Sequence, residues 1–470
     1  MLIPQRARLP WLMITSLIFY GYTSPLMLLH LIAIAVITFF VAIAIHRAED
    51  PGRKKLLLTL SLIGLVGNLV VFKYTSFLNE TFRSIFGWFG AAYDVPVMNI
   101  ILPLGISFYS FVLIGYLIDI FRGEEPEEDW LVFGVFVFFF PKMIAGPIER
   151  TTSLLPQLRE KLPGFKYALV TAGLQLMLWG AFKKVVVADR IAPFVDRVYE
   201  SPEAFSGVSL IFATWLYAFQ LYFDFSGYTD IALGAALIFG IRLLPNFNRP
   251  YFAVSIQDFW KRWHISLTNW LNDYIYTPVM KSRFTGLKMY NLILLAMMIT
   301  FVVSGFWHGA AWTYVVWGVL HGSYIVVSLL MQKRWNKFAK KIGLNKRKQL
   351  YRGIKISVTF CLVCFAYVFF RANSMEDALY IVANGFSGWG NPVEGIKAVV
   401  DGRLAHMGLA MVGIFIVMAP EFYKGHDKLG EIYRALPSWQ RWGLIYSATA
   451  SIVILGAFYN TDQQFIYFRF

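Results

Sequence analysis

Charged side chains are scarce in this 470-residue chain: Asp, Glu, Lys and Arg together make up 15% of it. A soluble globular protein carries roughly 25%, enough to hydrate its surface, so an array of soluble domains is excluded. Cysteine is scarcer still. The two present, Cys361 and Cys364, lie within the apolar run Ile356–Phe370. That rules out a disulfide framework and reads as two buried thiols on adjacent helical turns. Acidic residues are outnumbered, 28 against 43 basic. The basic residues sit in short loops between apolar runs, the pattern of a cytoplasmic membrane face and not of a nucleic-acid surface. The chain also lacks HExxH, GxSxG and Walker A sequences, and its histidines do not stand at local ligand spacing. Metalloenzyme, α/β-hydrolase and P-loop readings have nothing to rest on, and no metal is expected.

What the chain has is hydrophobic residues, at 57%, and a mean hydropathy of +0.55. Apolar runs of spanning length recur near 9–29, 28–46, 56–74, 97–121, 130–147, 165–189, 208–240, 291–308, 310–331, 354–370, 404–420 and 443–459. They predict an all-α integral membrane protein of about 9–12 tilted transmembrane or re-entrant helices, with interfacial amphipathic helices beside them. The first two runs abut, and the one at 130–147 contains Pro141, Gly146 and Pro147, which suggests a re-entrant segment. No stretch is suited to a soluble domain, so residues 1–470 read as a single polytopic membrane domain. Every charged residue from Lys333 to Lys355 is basic, which predicts a cytoplasmic loop held against anionic lipid. The acid-rich stretch Glu124–Asp129 reads as a solvated loop.

Polar residues deep in apolar runs carry the functional information, because they are costly there. The 208–240 run contains Asp224, Ser226, Tyr228 and Asp230. Asp224 and Asp230 are six apart, on different sides of a regular helix, and a kink at Ser226-Gly227 would turn both toward one space. Two readings stand: carboxylates held by basic partners for packing, or the lining of a substrate cavity. Residues 250–274 alternate aromatic and charged side chains and predict one amphipathic interfacial helix. Phe259, Trp263, Trp270 and Tyr274 share a face of it, Trp260 and His264 lie on the neighbouring stripe, and Lys261 and Arg262 turn away. The third cluster holds His308 and, between Gly318 and Gly322, His321. Ten residues of helix, about 15 Å, separate His321 from the end of its run at Met331. That places it near the middle of a core roughly 30 Å thick. A packed neutral histidine and a histidine poised for proton transfer both fit.

The stretches "FDFSGYTDIALGAALIFGI", "NFNRPYFAVSIQDFWKRWHISLTNWLNDYIYTPV" and "SGFWHGAAWTYVVWGVLHG" resemble the membrane-bound O-acyltransferases. "LPLGISFYSF" and "FPKMIAGPIER" resemble the family's bacterial polysaccharide branch, which acetylates alginate. The resemblance implies a ring of tilted helices around a tunnel, an acyltransferase core over about 97–331, and peripheral helices over 1–96 and 354–470. It implies His321 as catalytic base and His264 as the second catalytic polar residue. Trp260, Arg262, His308, Asp224, Ser226, Tyr228 and Asp230 would line or support the tunnel. The implied activity moves an acetyl group from a cytoplasmic thioester, acetyl-CoA or another acyl thioester, with no bound cofactor. The acceptor is a hydroxyl of an exported polysaccharide such as alginate, reached directly or through an extracytoplasmic acetyltransferase partner at the bacterial inner membrane. Alternatives are D-alanyl transfer to teichoic acid from a carrier protein, and a non-enzymatic transporter or scaffold of a polysaccharide secretion complex.

Overall fold

The computed structural model describes residues 3–96, 100–282, 286–423, 432–457 and 465. Among them the regular elements are all helical, and eight helices are long and apolar enough to cross a membrane. Hydrocarbon offers no water to backbone N–H and C=O groups, so an apolar run meets its own hydrogen-bonding needs by coiling. The chain divides into two compact units, Met1–Leu174 with Ala232–Leu244, and Gln175–Ile231 with Pro245–Phe470. The 97–331 core expected from the resemblance is shared between them.

In the first unit, α1 (Arg8–Thr23) and α2 (Pro25–Arg47) abut at Ser24, whose extended backbone and the proline after it separate the two runs. Helix α3 (Pro51–Leu69) starts on Asp50, whose carboxylate accepts from the Arg53 N–H at 2.6 Å, a favoured N-cap. It continues through a π-helical turn at Val70–Tyr74 into α4 (Thr75–Trp88). The run expected from 97 becomes α5 (Ile106–Arg122), which opens on Gly105 at φ 71°; residues 97–99 lie outside those described. The 130–147 run is not one span. It forms α6 (Trp130–Phe138), breaks at Phe139, and makes a single turn, α7 (Phe140–Met143). The chain folds back so tightly that a Cβ on Gly146 would lie 2.3 Å from the Lys142 Cα. Helix α8 (Thr151–Arg159) follows. The Glu124–Asp129 stretch is not wholly solvated: Glu127 is buried and takes Arg159 Nε at 2.6 Å.

Helix α9 (Tyr167–Ala181) begins in the first unit and enters the second at Gln175, running through a π-helical segment, Phe182–Ala188, into α10 (Asp189–Tyr199). Helix α11 (Val208–Ile238), whose residues from Ala232 belong to the first unit, is the most enclosed span among the described residues: 72% of its most apolar stretch is buried, against 11% for Pro51–Trp88. Its helical assignment runs through Ser226-Gly227 without interruption. The amphipathic helix expected across 250–274 is not one helix: a 3-10 turn at Pro250–Phe252 precedes two short helices, α12 (Ile256–Trp260) and α13 (Ile265–Leu271), followed by α14 (Thr277–Lys281). Then come α15 (Met289–His308), α16 (Trp312–Lys341) and α17 (Lys348–Arg371). The basic stretch is the exposed tip of the α16–α17 hairpin, helical up to Lys341 and again from Lys348, and not an extended loop. On α17 Cys364 is buried but Cys361 is exposed, so only one of the expected pair of thiols is interior. Helices α18 (Met375–Asn384), α19 (Pro392–Val400), α20 (Leu404–Tyr423) and α21 (Ser438–Leu455) complete the unit. The run expected at 443–459 ends beyond the described residues.

Candidate active site

Helices α15 and α16 form the wall of the site, and glycine sets their spacing. A Cβ on Gly318 would come within 2.4 Å of the Phe301 carbonyl oxygen, and one on Gly305 within 2.4 Å of that of Tyr314. Backbone meets backbone where any side chain would hold the helices apart. This close seam fixes the direction in which α16 presents Trp317 and His321, one helical turn apart on the same face. Both are at most 1% exposed.

The opposing side chains come from the broken segment between α12 and α13. Ser255 caps α12 by accepting from the Asp258 N–H at 3.1 Å, and the helix stops after Trp260. His264 then adopts φ 44°, ψ 53°, a left-handed conformation that costs a non-glycine residue on the order of 1–3 kcal/mol and persists only when its surroundings enforce it. Here the strand of chain at 246–248 does so. Ile265 N–H donates to the Asn246 carbonyl at 3.0 Å, Ser266 Oγ donates to Asn246 Oδ1 at 2.6 Å, and Asn248 N–H donates to the Arg262 carbonyl at 2.9 Å. Arg262 belongs to the same brace, donating to Asp258 Oδ1 at 2.8 Å.

The result is a packed cluster of imidazole and indole rings. Trp260 Nε1–H donates to His321 Nδ1 at 3.3 Å, and the Trp317 and His321 rings meet edge-on at 4.9 Å. The Phe259 and Phe301 rings lie near-parallel to His321 at 6.3 and 6.2 Å. His308 lies 4.8 Å from Trp317 and 6.5 Å from His264, and His264 lies 4.7 Å from Phe225. Ring contacts thus join His264 to His321 through His308 and Trp317. An indole N–H can only donate, so His321 Nδ1 offers its lone pair and the neutral ring carries its proton on Nε2. That Nε2, the Trp317 Nε1 and the Tyr324 hydroxyl are buried without a hydrogen-bond partner among the described residues. Burial pushes His264 down to about 3, so it too is neutral at physiological pH.

The polar residues of α11 are arranged differently. Lys183 pairs with Asp230 at 2.6 Å and donates to Ser226 Oγ at 3.0 Å. Lys184 pairs with Asp224 at 2.6 Å and with Asp189 at 2.7 Å. Both carboxylates are thus held by basic partners, as the packing reading expects. The helices come close enough because Gly180 faces Gly227: a Cβ on either would lie 2.7 Å or less from the other's carbonyl oxygen. Tyr228 stacks on Phe465 at 4.6 Å. The two lysines went unnoticed within the 165–189 run, although consecutive cations inside a span are themselves a signal.

Long apolar helices enclosing buried ion pairs and a buried cluster of histidines define an integral membrane protein with acid–base groups in its interior. The chain belongs to the membrane-bound O-acyltransferase family, whose sequence profile matches residues 130–370, from α6 almost to the end of α17. It is therefore an O-acyltransferase, requiring an acyl donor and a hydroxyl-bearing acceptor. It is 37% identical over 399 residues to a peptidoglycan O-acetyltransferase of Helicobacter pylori, covering 79% of this chain and 72% of the relative. It is 34% identical over 426 residues to a probable alginate O-acetylase of Azotobacter vinelandii, covering 89% and 81%. A teichoic acid D-alanyltransferase of Bacillus subtilis is more distant, 28% identical over 285 residues and covering 58% and 70%.

Proposed function

We propose that this protein works in the bacterial inner membrane and moves an acetyl group from a cytoplasmic acyl thioester, acetyl-CoA or a related donor, toward a hydroxyl of an exported polysaccharide. His321 and His264 are its catalytic pair, and delivery is direct or through an extracytoplasmic acetyltransferase. The observation that carries this reading is His321 itself: fully buried within the apolar helix α16, oriented at Nδ1 by Trp260, with Nε2 unmet among the described residues. A sugar hydroxyl keeps its proton near neutrality and attacks a thioester slowly unless that proton is taken up as the bond forms, an effect worth roughly 10²–10⁴-fold. Aromatic walls exclude water, which protects the thioester from hydrolysis. The resemblance to acetyltransferases of peptidoglycan and alginate supports acetyl as the group and a polysaccharide as the acceptor.

The test uses purified protein in proteoliposomes with labelled acetyl-CoA and oligosaccharides of alginate or peptidoglycan type. Consumption of the thioester by wild-type protein and its loss in His321→Ala, with melting behaviour retained, is the expected result. A D-alanyl carrier thioester consumed in preference would move the assignment to the teichoic-acid reaction. Normal polymer acetylation in cells carrying His321→Ala would reduce the protein to a scaffold.

A further inference from the structure

We propose that the cleft between α2 and α3 binds one diacyl glycerophospholipid, with an acyl chain along the groove and an ester carbonyl at its polar end, beside His30 and Asn68. The site lies apart from the residues assigned to acyl transfer and does not depend on that reaction. Residues 48–50 alone join α2 to α3, and neighbouring helices normally interlock their side chains. Here they leave a cleft of about 490 Å³. The cause lies on α3, which lines the gap with Ser61 and Gly64; a Cβ on Gly64 would meet no atom within 4 Å. Ile37 and Leu60 also line it and are 62% and 57% exposed, so the cleft opens toward the bilayer. Unfilled space forfeits the contacts of every lining atom, and a lipid tail is the material at hand to restore them.

The two ends of the cleft differ. Along α2 it runs from His30 to Val41 and along α3 from Asn68 to Leu57, about 16 Å in each case. Because the helices form a hairpin, His30 and Asn68 share the end far from the connection, and Val41 and Leu57 the end near it. His30 Nε2 and Asn68 Nδ2 are buried without a hydrogen-bond partner of good geometry among the described residues, as is the hydroxyl of Tyr109 beside Asn68. His30 packs instead on the Phe72 ring at 4.8 Å. Amide and imidazole N–H groups donate, so the ligand group that suits this end is an acceptor. Depth selects which one. His30 stands five positions after the first residue of α2, about 8 Å along the helix, at the level where headgroups give way to acyl chains. A phospholipid carries its ester carbonyls there; its phosphate lies farther out, and neither an acyl nor a prenyl chain has an acceptor deeper in.

The test uses the full chain in vesicles of phosphatidylethanolamine and phosphatidylglycerol, with a trace of phosphatidylethanolamine bearing a diazirine midway along one acyl chain. Photolysis should label α2 around Ile34 and Val41 and α3 around Leu57 and Gly64 in excess of α17 at Val358, which is also exposed. Gly64→Phe places a ring in the open space and should remove that excess. An unlabelled dialkyl ether phospholipid lacks the carbonyls and should compete about fivefold more weakly than its diacyl counterpart, the effect of one lost hydrogen bond. His30→Leu with Asn68→Leu should erase that difference. Labelling spread evenly over the exposed helices overturns the site, as does an excess that survives Gly64→Phe in folded protein. Equal competition by ester and ether lipids overturns the polar end, and this comparison needs only wild-type protein, so it stands if the variants do not fold. Wild-type protein that takes no label in the cleft and changes oligomeric state on Gly64→Phe holds a second copy of the chain there, which also overturns the proposal.

Discussion

The second unit buries polar groups in apolar surroundings twice, and treats them in opposite ways. Between α11 and the π-helical segment Phe182–Ala188, Lys183, Lys184, Asp189, Asp224 and Asp230 each have an opposite charge within 2.7 Å. Around α16, uncharged rings pack closely, and N–H groups of His321 and Trp317 are unmet among the described residues. A satisfied buried charge holds its neighbours in register, and removing one partner leaves the other stranded. An unmet buried donor contributes nothing to holding the fold and awaits an acceptor from outside. The difference separates architecture from chemistry within one set of helices, although the sequence shows both as polar residues interrupting apolar runs.

That contrast can be broken by substitution. The largest effect expected is on turnover: His321→Ala should lose about 10²–10⁴-fold activity while its melting midpoint in detergent stays near that of wild type. An equally large loss of stability would place His321 with the architectural residues. Lys183→Met should do the reverse, destabilising by about 3–5 kcal/mol because it strands Asp230. Adding Asp230→Leu should recover most of that loss in chemical denaturation, and a double variant no better than the single one would show that the pair is not the cause.

A smaller effect concerns pH. His264 is held at about 3 when folded, against about 6.5 when unfolded, so below pH 6.5 the unfolded chain binds a proton that the folded chain refuses. Stability is therefore complete above pH 6.5 and falls as pH drops toward 3, by roughly 2 kcal/mol between pH 7 and pH 5. His264→Asn should flatten the dependence of the melting midpoint over that window. A slope unchanged in the variant would mean that other groups govern it. The smallest effect belongs to Arg262→Gln. Its ion pair with Asp258 is about a quarter exposed, so the loss should stay within about 1 kcal/mol. Activity should remain within twofold if Arg262 braces the backbone and does not meet substrate.

His321 was legible in the sequence because a histidine ten residues inside an apolar run has few structural reasons to be there. Its neighbours Trp260 and His264 were legible as an aromatic-rich cluster but not in their true geometry. Nothing in Lys261–Ile265 announces a break: there is no glycine or proline, and the hydrophobic spacing continues through it. The break is imposed from outside by Asn246 and Asn248, whose partners Arg262, Ile265 and Ser266 lie 14 to 20 residues downstream, and single-residue patterns do not carry such a constraint. Gly227 answers to a packing constraint that its own sequence does not show. Glycine in a span suggests flexibility, yet Gly227 sits in an unbroken helix and is small because the Gly180 backbone lies against it. The tautomer of His321 was beyond reach until the indole facing Nδ1 was placed.

The paired lysines and aspartates also constrain how the chain is made. A lone charge at the centre of a helix entering the bilayer through the translocon costs roughly 2.5–3.5 kcal/mol, and the segment 182–188 carries two while α11 carries two more of opposite sign. Neither segment is at ease in lipid without the other. The eight residues between Tyr199 and Val208 leave little time between their arrivals, so the two should partition as a hairpin. In a glycosylation-mapping assay, a chain ending shortly after Tyr199 should integrate poorly, one extended past Ile238 should integrate well, and Asp224→Lys with Asp230→Lys should abolish the gain. Equal integration of the short and long chains would show that each segment settles in the bilayer unaided.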